Sequence, residues 1–388
     1  MLWWFPVTVF GYWTAPVGTT AFSMLKFPLI GAGLMFIAYY PLNSINWKIL
    51  IFLGFALIST LASDAVGYSS VKLFALTIVI GVFSPFLRSA TARALRESLW
   101  KNLCESAVLV VVLSVIMTNS GFPLPVLYDR AGSPGITSHA MLFGPIAGIS
   151  VIYLLSKALV KKSLFHFALS AICYYACLTS LSRAAVVAAT FGAAAVLLLS
   201  IANPKFIKFG LIPSALIGII FSIYSGLSLE GNTNDLTRVE AFSNKGIEAS
   251  SREQLWETRI SEFKTNPLLG LGIGMSSEYD RSVEGFAGSV EPGSAYLVVL
   301  SMTGIAGAIA LIWIVGAEIL SIRGVWQQLP LMTKYELTGI GLLLFVHGGA
   351  EGWIYSPGGL MCLFFWLWFG RLGDAVDHIR YARSRRCA

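Results

Sequence analysis

The 388-residue chain is 56% hydrophobic and only 12% charged, with a mean hydropathy of +0.74; that charged share is roughly half that of an ordinary soluble domain, which excludes one. Its net charge of +7 is spread over short turns and forms no basic stripe with stacking aromatics, so nucleic acid is excluded as a partner. The remaining class is an all-α polytopic membrane protein.

A bilayer core takes about 20 apolar residues per helix. That length predicts twelve spans, near 2–15, 27–43, 46–64, 71–87, 104–118, 139–158, 163–180, 184–202, 206–225, 295–319, 334–350 and 356–372. The first lacks a basic n-region and an A-x-A cleavage site, so it reads as a retained span and not a signal peptide. With no long soluble ends, residues 1–388 are expected to form a single membrane domain with one large polar loop, 227–293, between the ninth and tenth spans.

Lys and Arg orient the spans. The turns holding Arg88, Arg93, Arg96 and Lys101, then Lys157, Lys161 and Lys162, then Lys205 and Lys208, then Arg323 and Lys334, all fall on one side. The tail, with Arg380, Arg383, Arg385 and Arg386, falls there too, which predicts cytoplasmic termini and an external loop. That loop holds eleven acidic and six basic residues, a net charge of −5. Cys173, Cys177 and Cys362 lie in spans, and Cys104 and Cys387 lie toward the cytoplasm, so no disulfide is expected in the outer loop. Nor is a metal site expected, because Cys173 and Cys177 have no His or carboxylate companion in their apolar helix.

Four stretches bring polar groups to the outer face. YDRAGSPGITSHAMLFGP (128–145) holds Arg130 and His139 before the sixth span, and SLSRAA (180–185) puts Arg183 at the mouth of the eighth. The loop holds Arg252, Arg259 and Arg281, and HGGAEGWIYSPGG (347–359) holds Glu351 between the last two spans. An isolated Arg or Glu at such a place only reaches for headgroups; convergence on one face favours a site. In SREQLWETRISEF (251–263), Ser251 can cap a helix on which Arg252, Trp256 and Arg259 recur at i, i+4 and i+7. Guanidiniums grip phosphate oxygens bidentately and an indole stacks on a sugar, so this face suits a ligand bearing phosphate and sugar. The competing reading makes Leu255, Trp256, Ile260 and Phe263 an apolar stripe that docks the helix, a role for which an Arg is dispensable.

Several pieces occur in a recognisable order: SRAAVV at a span mouth, R-x-x-x-W, NPLLGLGIG (266–274), EPGSAYLVVLSMTGIAG (291–307), and H-x-x-x-E from His347 to Glu351. Together with GITSHAMLFGP, they resemble the O-antigen polymerase and ligase superfamily over roughly residues 120–376. The resemblance implies a C-type glycosyltransferase-like membrane fold with a long helical periplasmic loop, in a bacterial inner (plasma) membrane, with a periplasmic active site. It implies an inverting, metal-independent transfer without a cofactor. Donor and acceptor would be undecaprenyl-diphosphate-linked oligosaccharides, with a chain-length-regulating co-polymerase as a further partner. Arg183 and Arg252 map onto the family's diphosphate-binding arginines, while Arg259 is added from helical spacing alone.

One departure bears on the reaction. Ligases that transfer glycan to lipid A core carry a His-Asn pair before the Tyr-Leu that opens the helix after the loop, whereas this chain has Gly293 and Ser294 before Ala295, Tyr296 and Leu297. The ionisable neighbour is Glu291, a candidate base, with His139 as another. Arg130, Trp256, Arg259, Arg281, Tyr296 and Glu351 are candidate substrate contacts. The missing His favours a polymerase of O-antigen or exopolysaccharide, with a ligase as the alternative. A lipid-linked sugar transporter or flippase is the alternative of another class; it calls for internal repeats and charged or broken spans near the midplane, and neither is evident.

Overall fold

A computed structural model describes residues 39, 45–120, 135–137, 140–201, 249–277 and 293–387. Among them are ten α-helices and no strand: α1 Trp47–Leu61, α2 Val66–Phe83, α3 Ala90–Asn119, α4 Ala140–Lys161, α5 Leu164–Thr179, α6 Arg183–Ile201, α7 Ala249–Thr265, α8 Ala295–Arg323, α9 Leu331–Gly348 and α10 Leu360–Cys387. In α2, α3, α4, α6 and α8 the helix is long and apolar enough to cross a membrane, and α1 and α5 are shorter apolar helices. The spans predicted at 46–64, 71–87, 104–118, 139–158, 163–180, 184–202, 295–319, 334–350 and 356–372 thus each coincide with a helix. Those at 2–15 and 206–225, and nearly all of 27–43, lie outside the described residues. Large apolar side chains such as Leu57, Leu198, Ile312 and Leu320 stand exposed, as expected of surfaces that face lipid instead of water.

The described chain groups into two compact units, each assembled from separated stretches. One contains the described parts of 102–250 and 330–347, the other those of 24–101, 251–329 and 348–388. The boundary falls inside α3.

In the first unit, α4 packs on α5 and α6 through small residues. A Cβ at Gly192 would overlap Ile152 and the Gly339 carbonyl, and one at Gly148 would stand 2.9 Å from Leu343 Cδ1 and 3.0 Å from Ala189 Cβ. Glycines here let helix backbones approach where lipid offers no hydrophobic drive to association. Lys157, expected in a turn, lies on α4 and pairs with Glu105 of α3 at 3.3 Å.

In the second unit α1 packs on α2 and α8, and α10 on α2 and α8. Two helices run past their predicted ends. α3 begins at Ala90, so Arg93, Arg96 and Lys101 are helical and not in a turn, and α10 continues through Arg380 to Cys387. Hydropathy stops at the first charges, but here the charges have partners. The guanidinium of Arg96, fully buried, donates through Nε to Asp374 at 2.9 Å and also to the carbonyls of Ser84 and Leu87 at 3.0 Å each. Arg88 pairs with Glu318 and Asp377.

No broken span is expected from the sequence, yet α8 is interrupted at Gly304, whose φ of 63° and ψ of −171° leave the helical region. NPLLGLGIGM causes the break. An unbroken helix would bond the amides of Ile305 and Ala306 to the carbonyls of Ser301 and Met302. Instead those amides donate to Pro267 O at 2.8 Å and Leu268 O at 3.4 Å, while Ser301 O and Met302 O accept from Leu271 N at 2.9 Å and Gly272 N at 3.0 Å. Two helical bonds are exchanged for four between segments, and Ser59 of α1 adds a hydroxyl bond to Met302 O at 2.6 Å. Irregular backbone is tolerated among apolar helices only when satisfied in this way. The glycines follow from the close approach, since a Cβ at Gly270 would lie 2.5 Å from the Met302 carbonyl carbon and one at Gly304 would overlap the Leu268 carbonyl. Gly304→Ala adds this overlap to a left-handed φ; it is expected to destabilise the protein by about 1–3 kcal/mol, checked by thermal denaturation of the purified protein in detergent.

Candidate functional site

The four polar stretches meet in pairs, one pair within each unit. In the first unit the end of 128–145 meets 180–185. A Cβ at Gly144 of α4 would lie 2.8 Å from Ser180 Oγ and 2.9 Å from the Cβ atoms of Ser182 and Ala185. The turn between α5 and α6 is tight, with Leu181 at a φ of 54° and the Ser180 hydroxyl donating to Cys177 O at 2.6 Å. It delivers Arg183 as the first residue of α6, exposed. A cation there opposes the positive end of the helix dipole, which disfavours it by about 0.3–1 kcal/mol. The same superposition of guanidinium and helix N-terminus attracts an anion.

In the second unit the loop meets 347–359 at the start of α8. α7 begins at Ala249, two residues before the predicted cap, so Ser251 lies in its first turn. Arg252 stands one helical turn before Trp256; its side chain lies outside the described residues. Trp256 packs on Gly293, where an added Cβ would be 3.3 Å from both Trp256 Cδ1 and Leu255 Cβ. The Trp256 indole nitrogen is buried without a partner among the described residues. Ser294 then donates to the carbonyl of Gly348 at 3.5 Å, and Gly348 packs beside Ala295 and Trp353. Tyr296 is half exposed at 51%, and Glu351 is partly exposed in the turn after Gly348. Trp256, Tyr296 and Glu351 therefore belong to one unit, on three segments joined through Gly293, Ser294 and Gly348.

Arg259 is placed differently. It is 2% exposed, and its Nη1 donates to Glu262 at 2.8 Å and to Met275 O at 3.2 Å. The other oxygen of Glu262 accepts from the Ser276 hydroxyl at 2.8 Å and from the amide and hydroxyl of Ser277 at 2.7 and 3.0 Å. Of the competing apolar stripe, Leu255, Trp256 and Phe263 are half-buried and Ile260 is 40% exposed, whereas Arg259 and Glu262 are each 2% exposed. Spacing alone could not find this, because the partners are a serine pair and a carbonyl sixteen residues downstream. Glu291, His139, Arg130 and Arg281 lie outside the described residues. No cluster of three metal-ligating side chains occurs among the described residues.

Five apolar helices of spanning length among the described residues define a multi-pass membrane protein. Residues 167–312 match the family model described as O-antigen ligase, a stretch from α5 to the middle of α8 that includes Arg183, Arg252, Trp256 and the interrupted helix. The match covers less than half of the chain and supports a place in the O-antigen ligase and polymerase superfamily. No curated protein matches the chain.

Proposed function

We propose that the protein is an inverting glycosyltransferase that polymerises oligosaccharide repeat units carried on a polyprenyl diphosphate, at the outer face of a bacterial inner membrane. The acceptor hydroxyl oxygen attacks the anomeric carbon of the donor sugar as the bond from that carbon to the diphosphate oxygen breaks. The hydroxyl proton leaves to a base, and the lipid diphosphate departs with the bonding electrons. Negative charge grows on the diphosphate as the bond breaks, so arginines already in place bind the transition state more tightly than the ground state. By the resemblance, Arg183 at the start of α6 and Arg252 on α7 are assigned that role. Trp256 offers an indole face for a sugar, with Tyr296 and Glu351 as further contacts; Arg130 and Arg281 are assigned to substrate binding from the sequence alone. Glu291 and His139 are the candidate bases.

The observation that carries polymerase over ligase is Gly293. Its φ of 72° favours glycine, and its Cβ position is pressed against Leu255 and Trp256. A histidine at this place, where ligases carry theirs, would be strained and would displace the indole. The contact between α7 and the residue that leads into α8 is thus built around the lack of that side chain, which supports an acceptor activated from elsewhere. Disrupting the gene in its host and displaying surface glycolipid on a gel tests the reading. Loss of the long ladder with a single repeat unit still attached to its anchor is expected. Loss of every repeat, with polymer accumulating on the lipid carrier, would instead establish a ligase.

A further inference from the structure

We propose that the buried Arg259–Glu262 pair is a positioning device that sets the rotation of α7 about its own axis, and so the seat of Trp256 on Gly293 and the place of Arg252 one helical turn before it; this rests on the diphosphate-binding role given above to Arg252. The pair is wired more specifically than docking requires. Arg259 Nη1 ties α7 to the carbonyl of Met275, and Glu262 ties it to both hydroxyls and one amide of Ser276 and Ser277. Those three residues lie three to five positions beyond Gly272, the last residue of the segment whose carbonyls and amides fill the break in α8. α7 is therefore referenced, through directional bonds, to the helix that begins two residues after Gly293, on which Trp256 packs.

A buried ion pair is a poor choice if stability alone is the need, because an apolar pair of similar volume serves as well or better. What the polar hub supplies is direction. An apolar contact tolerates a roll of the helix, whereas a carboxylate holding three donors and a guanidinium does not. Positions 252, 256 and 259 share one stripe of α7 by their spacing, so a roll that freed Arg259 would carry Arg252 and Trp256 with it. Displacements of about 1 Å at such a site lower rates by about a hundredfold.

Binding of a polyprenyl diphosphate, used alone as the probe, to the full-length protein in nanodiscs separates positioning from structural support. Arg252→Ala is expected to weaken binding about tenfold or more, the loss of a charge-assisted hydrogen bond. Glu262→Gln is expected to weaken it comparably; it also leaves the buried Arg259 guanidinium without its carboxylate and lowers the thermal midpoint, so binding is read well below that midpoint, where the variant is folded. In the Arg252→Ala background, Glu262→Gln should then add less than twofold, since it acts through the residue already removed. Full additional weakening in that background would overturn the proposal, as would wild-type binding by Glu262→Gln alone. Unchanged binding by Arg252→Ala would be a different result: it would remove the site assignment itself, and the positioning role with it. Arg259→Lys and Arg259→Met give a second comparison should Glu262→Gln fail to insert. The lysine keeps the ion pair and should retain most of the affinity that the methionine loses; equal loss from both would count against positioning.

Discussion

Replacing Arg252 by alanine is expected to eliminate long polymer from the cell surface, through a fall in transfer rate of about 10²–10³, the usual consequence of removing one pre-placed donor from a developing anion. Arg183→Ala should do the same for the same reason. Both side chains are assigned to the diphosphate, which gains charge only as the glycosidic bond breaks, so the loss should appear mainly in turnover. Insertion should be unaffected, because Arg183 is exposed at the start of α6 and Arg252 lies in the second turn of a helix whose buried anchors are Arg259 and Glu262. Surface glycolipid, displayed on a gel at matched membrane levels, is the check. Wild-type ladders from both variants would remove these arginines from the site.

The largest expected loss of stability comes from Asp374→Ala. It strands the guanidinium of Arg96, which has no exposed surface and otherwise reaches, among the described residues, the carbonyls of Ser84 and Leu87. Breaking a buried pair from one side destabilises by about 3–5 kcal/mol, because a charge is left uncompensated out of water. Glu97→Ala is the matched control. Glu97 also pairs with an arginine of α10, Arg371, but at 3.8 Å and with 72% of its side chain exposed, so its removal should be close to neutral. Thermal denaturation in detergent compares the two, and equal midpoints would show that Arg96 finds other partners.

How far the sequence could be read follows from what each inference relied on. Apolar length located the helices from α1 to α6 and from α8 to α10, because a lipid-facing helix must be apolar whatever it packs against. It misjudged the ends of α3 and α10, since a charge ends a hydropathy window even when, like Arg96, it is neutralised by a residue 278 positions away. The interruption of α8 was hidden for a related reason. Gly304 and NPLLGLGIGM are each unremarkable as local sequence, and only their pairing shows that the glycines serve close backbone approach. In the candidate site, Arg183 was legible as a polar residue at a span mouth, and Gly293 as the absence of an expected His. Arg259 misled, because helical spacing reports which residues share a face but not whether that face meets ligand or protein.

Purified protein supplied with one lipid-diphosphate-linked repeat unit, and with no other acceptor, tests the central claim most directly. Products of two or more joined repeats, with release of the lipid diphosphate, are expected. Extension that occurs only after a core lipid is added, with each glycan transferred once, would contradict polymerisation and establish a ligase.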